Sequence, residues 1–210
     1  PTAEAKRRSL PGRAFAAPNA TRTADIESQQ RAASRPPTPE DSCVTGPAKH
    51  GVATEMDLHD LSAIALLDLY HRKAASPVEV ARAVLRHIGR WEPHLHATYS
   101  LDPEAALVQA EASQARWLKG EPMGALDGVP TMIKENIATK GVPVPLGTAA
   151  TELVPAAQDA PPAARLREAG AVILGKTTMP DYGMLSSGLS SFHALTRNPW
   201  DLTKNPGGSS

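Results

Sequence analysis

Lys134 is the first residue whose type and position could do chemistry. It directly follows the apolar residues 129–133, a run typical of a buried strand. A lysine at the end of such a strand must be paired, functional or deprotonated, because an isolated buried charge is costly. Partial burial lowers the pKa of a lysine, so that its amine can act as a base near neutral pH. Two alternatives remain open: a side chain that extends to solvent, and an ion pair with Glu135.

The second candidate is the run NPGGSS at residues 205–210. Its paired glycines allow unusual backbone dihedrals, and its serine hydroxyls can both donate and accept protons. A proton relay between a base and a nucleophile needs these properties, but a surface turn or linker has the same composition. Neither Walker spacing nor Gly-x-Gly-x-x-Gly after residues 171–174 is present, so no phosphate or dinucleotide site is predicted.

Three helices are predicted before Lys134. Apolar residues spaced by three and four indicate the first, over residues 58–69, with Asp60 or Ser62 as N-cap. SPVE at residues 76–79 resembles a capping box and begins the second helix, which is predicted to end near residues 91–93. The third begins at residues 102–104 and is closed by Gly120.

Beyond Lys134 the pattern becomes mixed. Residues 136–158 are predicted as loop, residues 160–169 as a helix stopped by Gly170, and residues 171–174 as a short strand that ends at Gly175. Lys176 is then predicted to cap that strand. Helices followed by strand, helix and strand indicate an α/β fold with a helical N-terminal layer.

Charge and cysteine content narrow the classes of protein. Lys and Arg total 22, as do Asp and Glu, so no overall field favours nucleic acid or an anionic membrane. No apolar run approaches the roughly 20 residues of a membrane span. Cys43 is the only cysteine and cannot form an internal disulfide. We therefore expect a cytoplasmic protein without nucleic-acid or membrane partners.

Residues 1–55 differ in composition from the rest. They are rich in Ala, Arg, Pro, Ser and Thr and poor in large apolar side chains. Such a segment buries too little apolar surface to offset its ordering entropy, which predicts a disordered tail ahead of a domain at 56–210. Two interpretations of the tail stay open: a genuine flexible extension, or upstream sequence before a natural start at Met56.

Several motifs in order resemble the amidase signature family. LDGVPTMIKEN at residues 126–136 is similar to the family's lysine motif, and residues 159–179 to its helix–strand segment. TRNPW at 196–200 and PGGSS at 206–210 are similar to the approach to its serine- and glycine-rich signature. The resemblance is dense over 124–210, looser over 56–123 and absent before that.

This resemblance implies an α/β/α sandwich with a mixed sheet, of which the chain holds the N-terminal half. It also implies a Ser–Ser–Lys relay in which Lys134 is base and then acid, and Ser209 is the bridging serine, held by a cis peptide. The acyl-forming serine is expected about two dozen residues after Ser209, in a turn that also supplies the oxyanion hole. The 210-residue chain is therefore expected to be inactive by itself.

Substrate contact is implied for a stretch that borders the pocket in the family, comprising Met184, Ser186 and Ser187. Relatives usually carry Phe-Gly where this chain has His193-Ala194, a departure expected to alter loop packing. A metal role for His193 is not predicted, because no second ligand lies at useful spacing. The resemblance implies neither a metal nor an organic cofactor.

The implied reaction is hydrolysis of a carboxamide to a carboxylate and ammonia or an amine, through an acyl-enzyme. A small-molecule amide is the expected substrate, and a homodimer the expected assembly. Two alternatives stay open: the glutaminase subunit of a tRNA-dependent amidotransferase, and a non-catalytic gene fragment. Residues 179–185 resemble a general amidase more than the glutaminase subunit.

Overall fold

The computed structural model of the chain describes residues 57–208. The predicted tail at 1–55, the proposed start at Met56 and the position of Ser209 lie outside the described residues.

Four α-helices and three strands make up the described part. In chain order they are α1 (Ala63–His71), α2 (Pro77–Leu95), β1 (Thr98–Tyr99), α3 (Pro103–Lys119), β2 (Pro130–Lys134), α4 (Pro161–Glu168) and β3 (Val172–Thr177). Single turns of 3-10 helix lie at Leu58–Asp60 and Asp181–Gly183. The sheet has the order β1-β3-β2, with β3 parallel to β2 and antiparallel to β1. The predicted mixed sheet is confirmed.

Side chains cap the starts of the first three helices, as their sequences predict. Of the two candidates for α1, Ser62 is the cap, and its Oγ accepts from the Ala65 N–H at 3.3 Å. The capping box of α2 is complete. Ser76 Oγ accepts from the Glu79 N–H at 3.2 Å, and a Glu79 carboxylate oxygen accepts from the Ser76 N–H at 2.8 Å. Asp102 caps α3 in the same way.

The end of α2 lies beyond the prediction, because the helix continues through Pro93 to Leu95. A proline in a helix interior removes one hydrogen bond and crowds the preceding turn. Pro93 is exposed and lies in the last turn of α2, where the helix can accept a proline because it ends directly afterwards. His96 then adopts a left-handed conformation at φ 50°, and the Glu92 carboxylate accepts from the N–H of Thr98 at 2.9 Å. The chain is thereby turned directly into β1.

The strand predicted at 171–174 is longer in the structure and passes through Gly175 to Thr177. A register shift between Thr131 and Met132 places Met132 opposite Gly175. A Cβ at Gly175 would lie 2.8 Å from the Leu101 Cα, so the glycine here permits close packing of the backbone and does not end the strand. The prediction that Lys176 caps this strand is therefore wrong, because Lys176 lies inside β3.

Helices cover both faces of the sheet. On one face, α2 and α3 pack on the sheet through a core cluster of Val78, Ala81, Ala106, Ala110, Val172 and Leu174. On the other face, Ala163 of α4 packs against Ile133 and Ile173. Alternation along β3 sends Ile173 to the opposite side from Val172 and Leu174. The described chain thus has the expected α/β/α arrangement.

Candidate active site

A cavity of about 530 Å³ opens at the carboxyl ends of β2 and β3. Its walls come from the strand ends and from two later loops. The lining residues are Ala97, Lys134, Thr177, Thr178, Pro180, Gly188, Thr196, Pro206, Gly207 and Gly208. Ligands commonly bind beyond the carboxyl ends of strands in open α/β sheets.

Lys134 and the glycine pair of the terminal motif lie at this one cavity. Lys134 is the last residue of β2 and pairs with Thr177, so the two side chains share a face of the sheet. It is half-buried. Gly207 and Gly208 line the same space. Ser209 itself is outside the described residues, but its chain neighbour Gly208 is at the site.

The stretch predicted to contact substrate lies beside this cavity. Met184 is 84% exposed, Ser186 is exposed, and Ser187 is half-buried. None of the three is among the lining residues, which include Gly188 instead. The Ser187 carbonyl oxygen would lie 3.2 Å from a Cβ built on Gly208, so this stretch runs alongside the glycine motif.

Two threonines make an ordered wall of the cavity. The hydroxyls of Thr178 and Thr196 are 2.9 Å apart, and the Thr196 hydroxyl donates to the His96 carbonyl at 2.8 Å. The backbone N–H of Thr178 donates to the Ala97 carbonyl at 3.0 Å. These bonds tie the segment after β3 to β1 and to the loop at 196, although the three are distant in sequence.

Glu135 begins a second group of polar side chains, buried behind the cavity. Its carboxylate is fully buried and accepts from the Gly147 N–H, with N–O distances of 3.0 and 3.1 Å to its two oxygens. The His193 Nε2 contacts the same carboxylate, and the His193 side chain is 6% exposed. The sequence showed His193 only as a departure from the family's pattern. The pairing with Glu135 could not be predicted from the sequence, because the two residues are 58 positions apart.

Lys176 is the buried cation that the sequence analysis missed. Its side chain is 1% exposed, and its Nζ makes no hydrogen bond to any residue within 57–208. Burial lowers the pKa of Lys176, and the charge of Glu135 opposes that shift. Burial and the same carboxylate raise the pKa of Tyr99. Lys176 pairs with Ile133 and Tyr99 across the sheet, and extending the predicted strand through Gly175 would have placed it there.

Asp127 fixes the chain before β2. Its buried carboxylate accepts from the Arg116 Nε at 2.9 Å and Nη2 at 2.5 Å, and from the Met123 N–H at 2.7 Å. Burial acts to raise the pKa of Asp127, but these hydrogen bonds outweigh it and leave the pKa below its usual value. The Trp117 indole N–H donates to the Asp127 carbonyl at 3.1 Å. Asp127 therefore anchors α3 to the start of the strand that carries Lys134.

Within residues 57–208, no group of three or more His, Cys, Asp or Glu side chains is arranged to hold a metal ion. In the same range, no helix is both long and apolar enough to cross a membrane.

The family model described as Amidase matches residues 79–210, which include Lys134, the helix–strand segment and the terminal glycine–serine motif. This chain belongs to the amidase signature family. The resemblance noted in the sequence is confirmed, as is the fold it implied.

Among curated relatives of this chain is a subunit of the glutamyl-tRNA(Gln) amidotransferase of Salinispora arenicola. It is 42% identical over 153 residues, which are 73% of this chain and 31% of the relative. The corresponding protein of Acidothermus cellulolyticus is 40% identical, over 73% of this chain and 30% of its own length. The chain spans about a third of the length of these relatives.

Solved structures of amidases share the fold. A bacterial aryl acylamidase of the amidase signature family is 32% identical with a TM-score of 0.67, over 73% of this chain and 32% of the other. A fatty acid amide hydrolase is 26% identical with a TM-score of 0.70, over 75% of this chain and 28% of the other.

Proposed function

We propose that this chain supplies the lysine base and the bridging serine of a Ser–Ser–Lys amidase. The whole enzyme would hydrolyse a carboxamide C–N bond through an acyl-enzyme. One observation carries the proposal: Lys134 and the Gly207-Gly208 pair that precedes Ser209 line one cavity. Two family motifs more than 70 residues apart in the chain thus meet at a space that a small amide could enter.

In this mechanism Lys134 is the base. It takes a proton from the Ser209 hydroxyl, which takes one from the nucleophilic hydroxyl as that oxygen attacks the amide carbonyl. The C–N bond breaks as the relay returns the proton to the leaving amine. Water then attacks the acyl-enzyme by the same route in reverse, and a carboxylate leaves. The family's pattern places the nucleophile and oxyanion donors after Ser209.

The stretch from Met184 to Ser187 is proposed to border the bound amide. It runs beside Gly208 and leads into Gly188, which lines the cavity. Its exposed Met184 side chain could cover an apolar substituent, and its serine hydroxyls could bond the amide group. The substrate class is therefore a small carboxamide with an apolar portion.

The test uses two proteins. One is the 210-residue chain alone, which is expected to release ammonia from simple amides no faster than its Lys134→Ala variant. The other is a chimera in which residues 57–210 replace the matching part of the aryl acylamidase. Lys134→Ala in the chimera should lower kcat by roughly three orders of magnitude or more, because loss of a relay member removes most of the catalysis.

Lys119→Ala is the matched control, because Lys119 is an exposed lysine at the end of α3. It should leave the chimera's kcat within about twofold, since isolated surface charges contribute little. Equal turnover in the Lys134→Ala and Lys119→Ala chimeras would refute the role of Lys134. Turnover by the short chain that disappears with Lys134→Ala would instead make Ser209 or Ser210 the nucleophile.

A glutaminase role within a tRNA-dependent amidotransferase is the second candidate, favoured by the 42% identity to the Salinispora protein. Comparing glutamine with simple amides as substrates of the chimera separates the two. Glutamine-selective release of ammonia would support the glutaminase role, and a preference for simple or aryl amides the general amidase. The glutaminase role would bring the chain close to tRNA, so the absence of a nucleic-acid partner stays a prediction. The homodimer and the cytoplasmic location stay predictions too.

A further inference from the structure

Four residues behind the cavity form a closed ring of hydrogen bonds. The Glu135 carboxylate accepts from the Gly147 N–H, and the Gly147 carbonyl accepts from the Ser190 hydroxyl. The Ser190 hydroxyl oxygen accepts from the His193 N–H at 2.9 Å, and the His193 imidazole returns to Glu135. The ring therefore joins the end of β2 to two loops, whose residues Gly147 and His193 are 12 and 58 residues from Glu135 in sequence.

Most of the ring is buried, and Ser190 is half-buried. Glu135 is fully buried, Gly147 is buried, and the His193 side chain is 6% exposed. The Tyr99 ring lies against the imidazole, with the ring centroids 5.2 Å apart. Lys176 also lies buried near the carboxylate, whose charge opposes the lowering of the Lys176 pKa by burial. Hydrogen bonds to a charged group are strong in such surroundings, and breaking one leaves a costly buried charge.

One side of the ring reaches Lys134 directly. Glu135 follows Lys134 in the chain, and its N–H donates to the Thr177 carbonyl at 3.1 Å. The other side reaches the wall of the cavity. A Cβ on Gly147 would lie 2.4 Å from the carbonyl oxygen of Pro180, which lines the cavity. The next residue, Asp181, accepts from both the N–H and the hydroxyl of Ser191 at 2.9 Å.

We propose that Glu135 and His193 are positioning residues that hold Lys134 in register with residues 180–191. This segment, the 180–191 wall, lines the cavity through Pro180 and Gly188. Neither Glu135 nor His193 lines the cavity, so neither acts on substrate. The proposal rests on the proposed function, because only a lysine that transfers protons needs such placement. An error of about 1 Å in the position of a reacting group can lower a rate a hundredfold.

The experiment follows Lys134 itself and needs no turnover. The 210-residue chain and its His193→Ala variant are treated with trace acetic anhydride over a range of pH, and acetylation of each lysine is measured by mass spectrometry. Amide hydrogen exchange is measured on the same proteins. His94→Ala is the matched control, because His94 is an exposed histidine on α2.

In His193→Ala we expect the Gly147 amide to exchange roughly tenfold faster or more, since a charged hydrogen-bond network is broken. Acetylation of Lys134, relative to Lys119 in the same chain, should rise about threefold or more as the cavity wall loosens. His193→Gln, whose amide can still donate to Glu135, should keep both measurements close to those of the unsubstituted chain. Added imidazole should do the same for His193→Ala. His94→Ala should change neither measurement.

Faster exchange at Gly147 with unchanged acetylation of Lys134 would overturn the proposal, because the pair would then only fasten a loop. If amides of α2 also lose protection in His193→Ala, Ser190→Ala decides, since it removes only a hydroxyl from the ring. That variant must reproduce both effects, or the proposal fails. A responsive Lys134 in a protein whose chimera lacks Lys134-dependent turnover would uphold the ring and refute the proposed function.

Discussion

Two acids stand at opposite ends of the lysine motif, and both are fully buried. Asp127 precedes β2 and Glu135 follows it. The Asp127 carboxylate has a two-pronged bond to Arg116, whose side chain keeps 26% of its surface exposed. The Glu135 carboxylate is bound by a backbone N–H and by a histidine that is itself buried. Asp127 is thus paired with a cation that contacts solvent, whereas Glu135 is not.

The difference lies in what surrounds each acid. The Asp127 carboxylate is matched by the charged donors of Arg116, which is typical of a pair that stabilises a scaffold. Near Glu135 the Lys176 amine is buried without a hydrogen bond among residues 57–208, an arrangement that costs stability. Such groups are enriched at functional sites, where strain is retained for a purpose. The amino end of β2 is therefore held by a matched ion pair, whereas its carboxyl end carries the strained groups beside the cavity.

Removing the charge of Asp127 should have the largest effect on stability. Asp127→Asn leaves Arg116 without its carboxylate in a partly buried place, and we expect the free energy of unfolding to fall by about 3 kcal/mol. Urea denaturation measures it. Asp68→Asn, in the exposed pair with Arg72, is the control and should cost less than about 1 kcal/mol. Equal losses in the two variants would contradict a scaffold role for Asp127.

A methyl group at Gly147 should have the next largest effect, because it strains the loop that binds Glu135. Gly147 has φ +68°, and an added Cβ would lie 2.4 Å from the Pro180 carbonyl oxygen. Gly147→Ala should lower the free energy of unfolding by about 2 kcal/mol or more, from backbone strain and the collision together. Gly141→Ala is the matched control, with φ +83° and open space around it. It should cost only about 1 kcal/mol, so a smaller loss at Gly147 would show that the 180–191 wall yields easily.

The smallest expected effect is the pH dependence due to Lys176. Its pKa is lowered in the folded chain, so between that pKa and about 10.4 the unfolded chain binds more protons than the folded chain. Stability should therefore rise with pH across this window, by up to about 1.4 kcal/mol per pH unit. Below the folded-state pKa both states are protonated and the penalty is complete.

Lys176→Met removes the titrating group and keeps an unbranched side chain. It should flatten that part of the stability curve and raise the urea midpoint below the folded-state pKa of Lys176, where the penalty of the buried charge is complete. Lys119→Met, at an exposed position, should leave the curve unchanged. A slope that persists in Lys176→Met would assign the titration to another group.

Sequence alone determined the local features and the family. Ser62, Ser76 and Asp102 cap helices because a cap needs only the next turn of chain. Lys134 could be predicted as a site residue because it follows an apolar strand directly and lies within a family motif. Local patterns failed where one residue type has two possible roles. Gly175 is typical of a strand end in the sequence, but in the structure it permits close packing of the backbone within the sheet.

Only the tertiary structure decided the surroundings of the lysine. Three features depend on segments that lie 40 to 80 residues apart in the chain. They are the burial of Lys176, the pairing of Glu135 with His193, and the cavity shared by Lys134 and Gly208. No periodicity in a sequence encodes such contacts, because they form only when the sheet brings the loops at its carboxyl edge together. The residue types set which bonds could form there, and the register of β2 on β3 set which ones did.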